Sequence, residues 1–191
     1  TVGGVIGLKD PSQTRLWANF TAAQGLDYDL LDRTLNFGAT TGSLEFAGRL
    51  IKVDVPSARL YGGSVKMTAD INTGQPGVRQ NMNVELNAVN FATLTRLYFD
   101  YKDSQGVVSG RYNFGFVPGQ AEKMQGSGNL LVENGNVFAI PVLGPLSAVL
   151  GTILPGVGYQ TARKATCDFR VANGEIRTEN LDVIGQGFSM I

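Results

Sequence analysis

Hydrophobic and polar residues alternate along several stretches of the chain, the signature of strands with one apolar face. From Ser64 to Ile71, Val65, Met67, Ala69 and Ile71 fall on one side and Ser64, Lys66, Thr68 and Asp70 on the other. The pattern recurs from Met82 to Val89, where Val84, Leu86 and Ala88 oppose Asn83, Glu85 and Asn87. From Arg111 to Phe116, Tyr112, Phe114 and Phe116 oppose Arg111 and Asn113, and from Cys167 to Val171 the polar Asp168 and Arg170 point away. Between Ser43 and Val55 the apolar set moves from even positions (Leu44, Phe46) to odd ones (Ile51, Val53, Val55), which predicts a bulge or bend around Gly48. Two Asn-Gly pairs, in LLVENGNVFAI and FRVANGEIRTENLDVIG, predict antiparallel hairpins, because Asn-Gly supplies the positive φ that a type I′ turn requires.

Two segments show helical spacing instead. After Asn90 as N-cap, FATLTRLYF sets Phe91, Leu94, Leu97 and Tyr98 on a common side. Pro145 then opens a second helix, whose Leu146, Val149, Leu150, Ile153 and Leu154 form one stripe that Pro155 and Gly156 terminate. Running from Pro145 to Leu154, this helix is about 15 Å long, half of the ~30 Å hydrocarbon core of a bilayer, so it is too short to span. Burial stabilises each aliphatic side chain by roughly 1.5 to 3 kcal/mol, so the stripe is expected against the sheet or a lipid. Its other face, Ser147, Ala148 and Thr152, carries no Lys or Arg for an anionic membrane surface.

Composition narrows the chemistry. Histidine is absent, which removes Ser-His-Asp and Cys-His catalysis and the commonest metal ligand. Sixteen basic residues balance sixteen acidic ones without clustering, so the footprint of a nucleic-acid binder is missing. Cys167 is the only cysteine and alternates with Phe169 and Val171, which predicts a buried, inert thiol. With 43% hydrophobic residues, 17% charged residues and 25 glycines, the chain reads as one β-rich domain over residues 1–191, and its ends read as those of an excerpt from a longer protein.

The remaining motifs are weak. GSGNLL at Gly126 to Leu131 starts like a dinucleotide fingerprint, but the third glycine is missing and a strand follows where a helix is needed. Asp27, Asp29 and Asp32 lack the spacing of a calcium loop and read as a solvated acidic turn. Asn19-Phe20-Thr21 is a formal glycosylation sequon, relevant only in a eukaryotic secretory route. Tyr98, Tyr101, Tyr112 and Tyr159 read as rings at the edge of a core.

The phrases SARLYGGSVKMTADI, VELNAVNFATLTRLY, MQGSGNLLVENGNVFAIPVLGPLSAVLG and FRVANGEIRTENLDVIGQG follow one another in an order that resembles the C-terminal region of AsmA-like proteins, the envelope family that includes TamB-like and YhdP-like relatives. The resemblance covers roughly residues 35–190. It implies a long curved sheet with an apolar interior that helps lipids or outer-membrane components cross the periplasm, as part of a membrane-anchored protein.

The expected fold is therefore mainly β: a strongly twisted antiparallel sheet forming a groove or half-barrel, with two short helices on its apolar face. The expected function is non-catalytic shielding or transfer of phospholipid or another acyl-chain lipid, in support of outer-membrane biogenesis. Val65, Met67, Ile71, Val84, Leu86, Tyr112, Phe114 and Phe116 are expected to line the groove, with Leu146, Val149, Leu150, Ile153 and Leu154 as a lid or plug. No cofactor, metal, nucleic acid or membrane-spanning segment is expected. Other envelope proteins are the remaining candidate partners, and the alternative is a structural β-domain with a fully packed core that mediates their contacts.

Overall fold

The computed structural model describes residues 1–30, 32–74, 77–102, 104–117, 120–135, 162–185 and 188–190. Among them run thirteen strands: β1 (Val2–Val5), β2 (Arg15–Ala22), β3 (Leu26–Leu30), β4 (Arg33–Ala47), β5 (Leu50–Leu60), β6 (Gly63–Asn72), β7 (Gln80–Asn90), β8 (Val107–Val117), β9 (Gln120–Glu133), β10 (Ala162–Ala172), β11 (Glu175–Thr178), β12 (Asp182–Gly185) and β13 (Phe188–Met190). One helix, α1 (Phe91–Phe99), interrupts them. The protein is mainly β, in a single open antiparallel sheet ordered β1-β2-β4-β5-β6-β7-β8-β9-β10-β12-β13. The long strands β4 and β10 each accept two partners on one edge: β3 and β2 pair with successive parts of β4, and β12 and β11 with successive parts of β10.

The switch of apolar parity near Gly48 has a different cause from the expected bend. Gly48, at φ +61°, and Arg49 form a two-residue turn, so β4 and β5 are separate strands of a hairpin. In that hairpin Phe46 faces Ile51 and Leu44 faces Val53, so even and odd positions share a face across the reversal. Two further hairpins use consecutive residues with positive φ, Tyr61 and Gly62 at 46° and 84°, and Asn173 and Gly174 at 55° and 73°, as type I′ turns require. The other Asn-Gly pair follows β9, and the return strand expected after it lies outside the described residues. Both edges of β9 are occupied, Glu133 facing Val107 on one side and Lys164 on the other.

True bulges lie elsewhere. Register slips between Val55 and Ala58 in β5, at Pro56, whose missing N–H cannot serve a ladder. It slips again between Leu86 and Val89 in β7, where Ala88 adopts φ +51°. Ala88 was expected to point inward; it is exposed, its N–H is held by the Ser109 hydroxyl, and Val89 takes the inward place.

Beyond these bulges lies the core. Val89, Val108, Val132, Ala165 and Val183 are successive cross-strand partners through β7, β8, β9, β10 and β12, and none is more than 3% exposed. Phe91, Leu94, Leu97 and Tyr98 of α1 belong to or pack against the same cluster. The helix begins where Asn90 Oδ1 accepts the Thr93 N–H at 2.8 Å, and ends at Asp100 in the left-handed region. On its buried side the Thr95 hydroxyl bonds the Ser104 hydroxyl at 2.6 Å, satisfying two polar groups inside the core. The second expected helix, with Leu146, Val149, Leu150, Ile153 and Leu154, lies outside the described residues.

Replacing Asn90 by Ala is expected to destabilise the protein by about 1 kcal/mol, while Asn90→Asp retains most of the cap. Urea unfolding midpoints at constant slope measure the difference.

Candidate functional site

On the apolar face, separated from the buried row by Leu86, Gly110, Leu130 and Cys167, runs another row of cross-strand partners: Val55, Met67, Val84, Tyr112, Gly128 and Phe169, one from each strand from β5 to β10. Apart from Val55, these residues are only half-buried. The next row, Val53, Ala69, Met82, Phe114, Gly126 and Val171, continues the same surface. A depression of about 580 Å³ crosses the middle of the sheet from β5 to β9; most of the residues that border it, Lys66, Thr68, Asn83, Glu85, Arg111 and Asn113 among them, alternate with these rows and belong to the polar face. On the apolar face the half-buried row from Met67 to Phe169 spans β6 to β10, so at about 4.8 Å per strand it is roughly 19 Å long across the strands.

Its floor is shaped by glycine opposite aromatic residues. A β-carbon placed on Gly128 would come within 2.7 Å of Tyr112 Cδ1 and 3.0 Å of Phe169 Cζ, and one on Gly126 within 2.7 Å of Phe114 Cδ1. The rings therefore lie down over the neighbouring strand's backbone, where side chains would otherwise lift them into the trough. Tyr112 stacks on Phe114 with centroids 6.1 Å apart and tilts against Phe169 at 5.6 Å. At the other edge of the sheet Phe20 covers Gly42 in the same way.

The opposite face is wet. Lys66, Thr68, Asn83, Arg111, Asn113, Ser127, Asn129, Asp168 and Arg170 are exposed, and the Arg111–Glu85 pair at 3.6 Å is an exposed ion pair of little energetic weight. Asn83 bonds both Thr68 and Asn113, which ties three strands together on that face.

The eight residues expected to line a groove all lie on the one apolar face, at different depths. Met67, Val84 and Tyr112 are cross-strand partners in the half-buried row, and Phe114, Phe116 and Ile71 continue the half-buried surface away from α1. Val65, at 6% exposure, lies in the core, and Leu86 packs against it. The expected lid residues are outside the described part of the chain. Sequence reading missed Gly126 and Gly128, which read only as a broken nucleotide motif; their placement inside β9 opposite Phe114 and Tyr112 gives them a packing role. Asp27 and Asp29 accept hydrogen bonds from Asn36 and Thr34, and no group of His, Cys, Asp and Glu fit to hold a metal occurs among the described residues. No helix among them is long and apolar enough to cross a membrane.

Burial pushes the Tyr112 phenol up to about 12, with the nearby Cys167 adding to the shift. The Cys167 thiol, half-buried on the same face opposite Leu130, is also raised by burial. Both groups are held in their neutral forms.

Two outcomes test this division of the sheet. Val132→Ala, in the buried row, is expected to lose about 2 kcal/mol of stability, and Val84→Ala, in the half-buried row, less than about 1 kcal/mol, as chemical denaturation would show. Because the folded state favours neutral Tyr112, its contribution is fully present below pH 10.0 and is lost as the pH rises from there to about 12. Phenolate absorbance of the folded protein is expected to show a late step near pH 12 that Tyr112→Phe removes.

No family model, curated protein or solved structure matches the chain.

Proposed function

We propose that this sheet shields the hydrocarbon part of a lipid, serving as a non-catalytic segment of lipid transfer in a bacterial envelope. The observation that carries the reading is the contrast between two rows of one apolar face: the row beneath α1 is sealed, and the row from Met67 to Phe169 is half-open over some 19 Å across the strands. That length exceeds the ~15 Å half-thickness of a bilayer core, so an acyl chain fits across the strands with its headgroup outside. Transfer of apolar surface from water into the trough supplies the driving force, and no bond is made or broken. Aliphatic walls recognise little beyond chain length, at about 0.8 kcal/mol per methylene, so selectivity among chains is low. The resemblance to AsmA-like proteins supports the periplasm as the setting, with the sheet held in a membrane-anchored protein, and supports phospholipid as the cargo. Groove, half-barrel and strong twist belong to the same proposal, supported by the bulges at Pro56 and Ala88 that bend the sheet between sealed and open rows.

The protein purified from a Gram-negative host is expected to carry phospholipid detectable by extraction and mass spectrometry. Val84→Asp, which puts a carboxylate in the trough, is expected to reduce that lipid at least tenfold, while Arg170→Asp on the wet face leaves it unchanged. Lipid-free wild-type protein, or equal loading of both variants, sinks the proposal in favour of a structural domain that mediates protein contacts.

A further inference from the structure

An edge strand exposes a row of unpaired N–H and C=O groups, and proteins commonly guard such edges with charge. β3 carries Asp27 and Asp29, and β11 carries Glu175 and Arg177, joined as an ion pair. β1 has no such guard: from Val2 to Leu8 the chain holds no charged residue, and Val2, Val5, Ile6 and Leu8 are all exposed. The Asn19 N–H donates to the Thr1 carbonyl at 2.7 Å, which fixes the parity of the ladder. Thr1, Gly3 and Val5 therefore turn their backbone groups toward β2, and Val2 and Gly4 turn theirs outward. No other strand among the described residues pairs with that outward side.

The side chains at this edge depart from the division between wet and apolar faces. Gly3 and Val5 lie on the face that carries Arg15 and Asn19, yet Trp17 shares that face at 49% exposure and Val5 is 66% exposed. The indole lies over Gly3, where a β-carbon would come within 2.5 Å of Trp17 Cζ2. A ring lying over a glycine, with a protruding valine two residues along, makes two halves of one contact that a two-fold axis through Gly4 brings together. In that antiparallel register Gly4 faces Gly4 of a second copy and exchanges both backbone hydrogen bonds with it, while Val2 faces Ile6. Gly3 faces Val5 as a non-hydrogen-bonded pair, the kind whose side chains approach more closely, so each Val5 rests against the indole of the other copy.

We infer that two copies of this chain associate edge to edge through β1, in a two-fold symmetric antiparallel pair. Such an interface is isologous, and one sequence supplies both halves of the valine-and-indole contact without setting like charges opposite each other. Self-pairing of β3 or of β11 lacks that advantage, because their charged residues would meet across the junction. The axis stands perpendicular to the sheet, so both apolar faces lie on the same side, with Val2 and Ile6 paired across the junction. One short edge buries less than the ~1,200 Å² at the lower end of stable interfaces, so the association is weak and concentration-dependent.

Sedimentation velocity of the full chain over rising concentration is expected to show the mass climb from one chain to two and no further. Trp17 is the only tryptophan, so its fluorescence reports on the contact itself and is expected to move to shorter wavelength over the same range. Val5→Asp, at an exposed position and with the fold checked by circular dichroism, is expected to weaken association about tenfold or more and to hold Trp17 emission at its dilute value. Val5→Ile retains both transitions, and Ile176→Asp, on the edge strand β11, leaves them unchanged. A wild type that remains a monomer at every concentration, association of Val5→Asp equal to the wild type, its loss in Ile176→Asp, or growth beyond two chains overturns the inference.

Discussion

A sheet that is apolar on one face has to keep that face from water, and this requirement organises the molecule. Alternation along each strand makes the face, and cross-strand pairing aligns it into continuous rows from β5 to β10. Among the described residues one nine-residue helix lies against those rows. It is about 14 Å long at 1.5 Å per residue, too short to cover a sheet of this breadth. Val89, Val108, Val132, Ala165 and Val183 therefore form a sealed core, and the rows farther from α1 keep part of their apolar surface accessible. The bulges in β5 and β7 fall between the two regimes. They let one sheet be both a packed core and an open surface.

Glycine keeps the open part from filling itself. Tyr112, Phe114 and Phe169 are large enough to occupy a trough, yet glycines in β9 and β8 let them lie against the backbone. They contribute stacking and buried ring area, and they flatten the floor. A β-branched residue at Gly128 would add strand propensity and raise the Tyr112 ring into the space above. Sequence preference at this site runs against strand propensity, as it does where shape is under constraint.

Much of the sheet was legible from alternation alone. The faces of β6, β8 and β10 follow their sequence pattern residue by residue, and the N-cap and extent of α1 were visible in Asn90 and FATLTRLYF. What alternation cannot reveal is how parity changes. A hairpin with a two-residue turn and a bulge both exchange odd for even positions, so the shift around Gly48 read as a bend when it is a chain reversal, and the real bulge at Pro56 went unseen. Ala88 was misplaced for the same reason, because a bulge moved Val89 into its role. Of the candidate site, the apolar lining was legible as a face. The glycines that shape it were not, since a glycine carries no side chain to enter a hydrophobic pattern.

The open rows also set a relation between stability and occupancy. Each half-buried Val or Met retains water contact worth part of the roughly 1.5 to 3 kcal/mol that full burial would supply, so the open rows are a region where the fold forgoes stabilisation. A ligand that covers those side chains binds only the native arrangement, because unfolding disperses the rows over six strands, and it therefore shifts the folding equilibrium toward the native state by mass action. Filling the trough with larger residues would stabilise the sheet and remove the surface on which the proposed function rests. The sealed row beneath α1 offsets that sacrifice: five buried side chains and a satisfied Thr95–Ser104 pair anchor one end of the sheet, so the other end can stay open without the fold depending on it.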